Sequence, residues 1–185
     1  MTRAYKTEGI ILKRVNFGET DRILTIFTKH CGKIKALAKG IRKLKSRKAG
    51  NLELFNHAVL VLSEGKGLDI ITETWVVDSF VKLRRNLSSI GRAFQIAEVT
   101  DKLTAEREAN RRVFELLLEA LKGQKTVREF EIELLKELGF GLPKKLSEKS
   151  VENFIESIIE KRLKSKRIFP TPIFPIPDRT KEAIQ

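Results

Sequence analysis

Arg22-Ile-Leu-Thr-Ile-Phe-Thr28 and Lys33-Ile-Lys-Ala-Leu-Ala-Lys39, separated by Lys29-His-Cys-Gly32, decide how this chain is read. The first run is rich in β-branched and aromatic residues, which suit a pleated, half-buried surface. The second alternates cation and apolar residue, and in a strand alternate side chains share a face. Both runs predict strands, with the glycine marking the break between them.

The same grammar extends outward. Upstream, Gly9-Ile-Ile-Leu-Lys-Arg-Val-Asn-Phe17 ends in the turn-forming cluster Gly18-Glu-Thr-Asp21. Downstream, Ala58-Val-Leu-Val-Leu62 is followed by Glu64-Gly-Lys-Gly67 and then by Leu68-Asp-Ile-Ile-Thr-Glu-Thr-Trp-Val-Val77. Five short strands at this spacing predict a small closed or nearly closed barrel, and the spacing alone also permits an SH3-like barrel.

Beyond Asp78 helical spacing takes over. Ile90, Phe94, Ala97 and Leu103 mark one apolar face. Val113, Leu117 and Leu121, flanked by Phe114 and Leu118, mark a helix apolar on most sides and therefore buried. Phe130, Leu134, Leu135 and Leu138 mark a third, stopped by Gly139-Phe-Gly-Leu-Pro143. Val151, Phe154, Ile155, Ile158 and Ile159 form the cleanest i, i+3, i+4 stripe. Prolines within Phe169-Pro-Thr-Pro-Ile-Phe-Pro-Ile-Pro177 forbid regular helix and predict an extended tail. The expected organisation is α+β: a barrel over 1–79, helices over 80–165 and a proline-rich tail over 166–185.

Charge is placed unevenly. The chain of 185 residues carries a formal net charge of +13, and residues 1–50 hold 14 Lys/Arg against 3 Asp/Glu. Solubility alone would spread that excess; a localised patch is the footprint of a polyanion-binding face. From Lys29 to Lys48 there are nine basic residues and no acidic one. Alternation places Lys33, Lys35 and Lys39 on one strand face, opposite Ile34, Ala36 and Ala38. The segment between Gly40 and Gly50 adds Arg42, Lys43, Lys45, Arg47 and Lys48. Like charges hold such a loop open until an anion neutralises them, so it can follow a phosphate backbone. A charge run is often only a solvated face, but strand alternation and missing acids favour nucleic acid here. Anionic membranes also attract polybasic segments, yet no apolar anchor or lipidation site accompanies this one.

Phe17, Phe27 and Phe55 lie near the patch and are candidates to stack on bases, with barrel core as the competing reading. Lys66, in the Glu64–Gly67 turn, is a further candidate contact if that turn lies at a barrel rim, with a plain hairpin turn as the competing reading. Catalytic signals are weak. His30 and His57 are isolated, Glu19 and Asp21 read as turn-capping groups, and no P-loop, nucleophile elbow or H-E-x-x-H occurs. The single cysteine, Cys31, excludes an internal disulfide and a four-cysteine zinc site. Met1-Thr-Arg-Ala-Tyr-Lys lacks the apolar core of a secretion signal, and no apolar run approaches the ~18 residues of a membrane span. A reducing, cytoplasmic setting, no membrane partner and no enzymatic activity are the resulting expectations.

These residues resemble the RecO family of bacterial recombination mediators in order along nearly the whole chain. Gly9-Ile-Ile-Leu-Lys13 with Gly18-Glu-Thr-Asp-Arg22 is similar to its opening strand and turn. Thr25-Ile-Phe-Thr28, Gly32-Lys-Ile-Lys-Ala-Leu-Ala-Lys-Gly40 and Lys45-Ser-Arg47 are the most distinctive match. Gly67-Leu68, Ser79-Phe80, Leu83-Arg84, Glu133-Leu-Leu-Lys-Glu-Leu-Gly-Phe-Gly141 and Leu163-Lys-Ser165 continue it. The resemblance implies an N-terminal five-stranded OB-fold barrel followed by a C-terminal helical domain. It also implies binding of single- and double-stranded DNA, strand annealing, and recombinase loading with RecR on DNA coated by the single-stranded DNA-binding protein. A bacterial, nucleoid-associated location follows from the same likeness. Lys33, Lys35, Lys39 and the Arg42–Lys48 loop fall where the family's barrel meets DNA. Many members carry a cysteine-rich zinc module after the segment matching Gly139-Phe-Gly141. Here Leu142-Pro-Lys-Lys-Leu-Ser147 follows without cysteine, so a short form without zinc or other cofactor is expected. From the residues alone two other functions stay open: an RNA-binding OB-fold protein in translation or RNA folding, and an interaction scaffold recruiting partners through helices and tail.

Overall fold

A computed structural model describes residues 3–144 and 147–165, and the proline-rich tail expected over 166–185 lies outside them. Five strands form the first half: β1 (Ala4–Phe17), β2 (Asp21–Thr28), β3 (Gly32–Ala38), β4 (His57–Ser63) and β5 (Asp69–Asp78). They close in the order β1-β2-β3-β5-β4, with β3 and β5 parallel and the other pairs antiparallel. That order is an OB-fold barrel and removes the SH3-like alternative.

Closure depends on β1. Its first half pairs with β4 and its second half with β2, and the register shifts between Ile11 and Lys13. A bulge bends the strand it interrupts, so one long strand serves two sides of the barrel. The sequence pattern places the start of β1 at Gly9, yet the strand begins at Ala4. Tyr5-Lys-Thr-Glu8 has no hydrophobic alternation to announce a strand; pairing with β4 recruits it.

Period-two alternation sorts the side chains. Ile11, Leu24, Ile26, Ile34, Ala36, Ala58, Leu60, Leu62 and Ile71 fill the interior. Ile10, Leu12 and Phe27 point outward, and with Phe55 they are buried against the helices.

The second half comprises α1 (Val81–Arg84), α2 (Leu87–Leu103), α3 (Arg111–Leu121), α4 (Val127–Glu137) and α5 (Glu148–Ile159). Each long helix starts where a side chain takes an orphan amide: Asn86 from Ser88, Asn110 from Val113, Thr126 from Glu129 in a capping box, Ser147 from Ser150. Ala93, Ile96, Val113, Phe114, Leu117, Phe130 and Leu134 join the barrel's outward apolar residues in one continuous cluster. Phe55 meets Phe94 edge to face at 5.0 Å, and the His57 ring meets Phe114 at 5.7 Å. Of the α5 stripe only Val151 and Ile155 are fully buried, because this helix lies at the margin of the core. The helices therefore brace one side of the barrel and leave the β1–β2–β3 hairpin end and the β5 face in solvent.

Candidate nucleic-acid interface

The basic loop between β3 and β4 is pinned at both ends. Ile41 and Leu52 are buried in the barrel cluster, while Arg42, Lys43, Lys45 and Arg47 between them are exposed. At its entry, the Asp21 carboxylate accepts the Gly40 N–H at 2.7 Å, and the Arg42 N–H donates to the Thr20 carbonyl at 2.9 Å. The Gly40 amide, with the Thr20 hydroxyl second, holds Asp21 below the usual carboxylate range. Asp21, expected to cap its own turn, thus ties the β1–β2 turn to the start of the loop. Arg42 also donates from its guanidinium to the Gly18 carbonyl at 3.3 Å. At its exit, Lys48 Nζ donates to the Ile71 carbonyl at 3.1 Å and the Asn51 side chain to the Thr74 carbonyl at 2.9 Å. The loop therefore runs from the β1–β2 turn to the free edge of β5, and Leu44 projects fully into solvent among its cations.

Lys33, expected on the open cationic face, does not belong to it. Strand alternation does turn it outward with Lys35, but the helical half covers it to 7% exposure. Its ammonium donates to the carbonyls of Asp101 and Thr104, 2.6 Å from the latter, and lies 3.5 Å from the Asp101 carboxylate. Those carbonyls end α2, where the helix dipole is negative, so a cation is stabilised there. Lys33 is a tie between the two halves of the chain.

Lys35 is exposed but paired, donating to Glu106. The carboxylate raises Lys35 above the ordinary lysine value, and Lys35 holds Glu106 below the ordinary carboxylate range. Glu106 arrives because the α2–α3 connection bridges β3 at Lys33 and the Arg107 N–H donates to the Lys33 carbonyl at 2.8 Å. Gly32 permits this approach: its φ is +64°, and a Cβ there would sit 2.1 Å from the Glu108 carbonyl oxygen. Arg107 then reaches the buried Asp69 carboxylate at 3.1 Å. The same carboxylate accepts from the Tyr5 hydroxyl at 2.6 Å, and burial, then that bond, pushes the Tyr5 hydroxyl well above its usual range.

Lys39 is exposed directly before the loop. Lys66 is exposed in the β4–β5 turn, before Asp69 in sequence. Phe27 and Phe55 are core, 0% and 3% exposed; Phe17 is 52% exposed beside the Gly18 carbonyl that Arg42 binds. Sequence reasoning missed Lys13. It is exposed and paired across β2 with Thr25, which pairs with Lys35, so two cations share one row of the outer sheet face. Only the strand register reveals that neighbourhood, since 22 positions separate the two lysines along the chain. The next row, Val15, Ile23 and Leu37, is apolar and at least partly exposed. Chemically, this arrangement offers phosphate-binding cations beside apolar and aromatic surface.

Among the described residues no group of three or more His, Cys, Asp or Glu is placed to hold a metal ion. His57, in place of a ligand role, is buried between Glu8 and Phe114, and burial lowers its pKa despite the Glu8 bond. No helix among these residues is long and apolar enough to cross a membrane.

Barrel order and packed helices define an OB-fold protein with an appended helical domain. Residues 1–80 match the family described as Recombination protein O N terminal, and residues 84–145 match Recombination protein O C terminal. The chain belongs to the RecO family. DNA repair protein RecO from Roseiflexus sp. (strain RS-1) is 41% identical over 145 residues, which are 75% of this chain and 51% of that protein. DNA repair protein RecO from Dehalococcoides mccartyi (strain ATCC BAA-2266 / KCTC 15142 / 195) is 35% identical over 143 residues, 74% of this chain and 56% of that protein. That of Pelotomaculum thermopropionicum is 35% identical over 144 residues, 75% and 56% of the two chains. The chain spans about half the length of the curated relatives it matches.

Proposed function

We propose that this chain is a non-catalytic DNA-binding protein of recombinational repair that anneals complementary strands and helps load recombinase onto coated single-stranded DNA. The observation that carries the reading is the pinned basic loop: Arg42, Lys43, Lys45 and Arg47 exposed between two core anchors, with Lys39 before them and Lys48 after. A loop fixed at its ends presents its cations without paying their full ordering entropy on binding. Annealing then follows from charge: two strands repel until a cationic face compensates their phosphates. The barrel over 1–79 is the nucleic-acid-binding unit, and the helices over 80–165 brace it and offer partner contacts. RecR and the single-stranded DNA-binding protein are the partners, and the bacterial cytoplasm, at the nucleoid, is the setting, both on family membership.

Lysines and arginines on phosphates do not read bases, so sequence preference is slight. With about five contacts to single-stranded DNA, log affinity falls against log salt with a slope of about −3.5. The test is a fluorescence-anisotropy salt titration of the wild type and of a Lys39→Glu, Arg42→Glu, Lys45→Glu variant. The variant should keep its circular dichroism, since all three side chains are exposed, and lose at least tenfold in affinity. An affinity that does not respond to salt overturns the reading. Tighter binding to a matched RNA oligomer in competition moves the function to RNA.

A further inference from the structure

We propose that Trp75 is a base-stacking platform for single-stranded DNA at the β5 end of the basic loop; this rests on the DNA-binding reading above. Trp75 lies opposite Val59 on β4, between interior positions Ala58 and Leu60, so its ring stands on the outer barrel face. It is 50% exposed. A tryptophan left half in water carries a flat apolar surface that a stacked base can cover, and every base has such a face.

Its place relative to the cations singles out the occupant. The basic loop returns to β5 at Lys48 and Asn51, which bond the carbonyls of Ile71 and Thr74, and Thr74 immediately precedes Trp75. From the other side Lys6, on β1, places its ammonium 5.7 Å from the Trp75 ring centroid. Trp75 thus has a strand lysine, Lys6, over its ring, and the returning basic loop is fixed to the residue before it through Asn51. At the opposite end of the same loop, the half-exposed Phe17 precedes Gly18, whose carbonyl accepts from Arg42. A single strand whose phosphates follow the loop therefore meets an exposed aromatic at each end. When a base takes the ring, Lys6 moves from the aromatic face to the adjacent phosphate, exchanging the ring's negative quadrupole for an anionic oxygen. Duplex DNA keeps its bases stacked on each other and leaves Trp75 unused, which makes the residue selective for single strands. Glu73 shares this face, opposite Val61, and opposes the phosphates there.

Trp75 is the chain's single tryptophan, so its emission reports this site alone. The experiment follows full-length protein with an oligothymidylate of ~16 nucleotides, the upper range of an OB-fold site. Anisotropy of labelled DNA reads binding, and tryptophan emission reads stacking. Quenching that saturates together with anisotropy is expected. Trp75→Ala should weaken single-strand binding about fivefold to a hundredfold, Trp75→Phe should retain most of it, and neither should change duplex affinity. Glu73→Gln should tighten single-strand binding. Binding seen by anisotropy without quenching, or a Trp75→Ala variant that binds like wild type, overturns the proposal while leaving the basic loop standing. No binding by anisotropy removes both. An emission shift that depends on protein concentration without DNA assigns the face to self-association and also overturns it.

Discussion

Lys33 and Lys35 sit two positions apart on one strand face, have the same chemistry and end in different environments. Lys33 meets the carbonyl end of α2 and is sealed from water; Lys35 meets a carboxylate at the surface. The consequences diverge accordingly. Lys33→Ala strands buried acceptors and should cost about 1.5–3 kcal/mol of stability, the range for hydrogen bonds to a charged group. Urea titration reads that loss, while the salt slope of DNA binding should not change. Glu106→Gln removes an exposed pair worth about 0–1 kcal/mol, so stability should hold. It frees Lys35 for phosphate, and single-strand affinity should rise a few-fold in anisotropy at low salt. An affinity that is unchanged would mean that Lys35 does not touch the strand.

At the scale of elements, the basic loop behaves as part of the barrel. Ile41 and Leu52 anchor it from below, and Asp21 holds its first turn through the Gly40 amide. Because the folded-state pKa of Asp21 is depressed below 3.8, its contribution is present above that value and is lost as pH falls through the folded pKa. Hydrogen exchange at the Gly40 amide is the readout. Protection should be full near neutral pH, should fall in acid as the carboxylate takes its proton, and should already be low at neutral pH in Asp21→Ala. The connection from α2 to α3 is a second element with a double role. By pairing with β3 it seals Lys33 and sets Glu106 against Lys35, so one short segment both joins the halves and sets how much of the cationic face is free.

For the whole molecule, the barrel and helices share apolar surface. Ile10, Leu12, Phe27 and Phe55 point out of the barrel into the cluster that holds Phe114 and Phe130. Phe27→Ala should therefore cost about 3–5 kcal/mol, the range for a buried aromatic, and its effect should not stay in the barrel. Far-ultraviolet circular dichroism, dominated by helix, and Trp75 emission, which reports the barrel, should move together to a lower midpoint. Separate transitions would show two independent units.

The strands, the helical stripes and the concentration of positive charge were legible along the chain, because each is a local pattern with a period of two or 3.6 residues, or a simple excess. Alternation even assigned Lys33 and Lys35 to the correct side of β3. What covers a side was decided only by folding. The carbonyl end of α2 and Glu106 come from 68 to 71 positions away to meet Lys33 and Lys35, and no local period encodes that meeting. Lys13 joins Lys35 through register, Phe27 is claimed by the helices, and Trp75 stays half in water with the Lys6 ammonium over its ring. Charge and alternation are properties of neighbours in sequence; exposure is a property of neighbours in space, and exposure determines which cations and which rings remain free for a ligand.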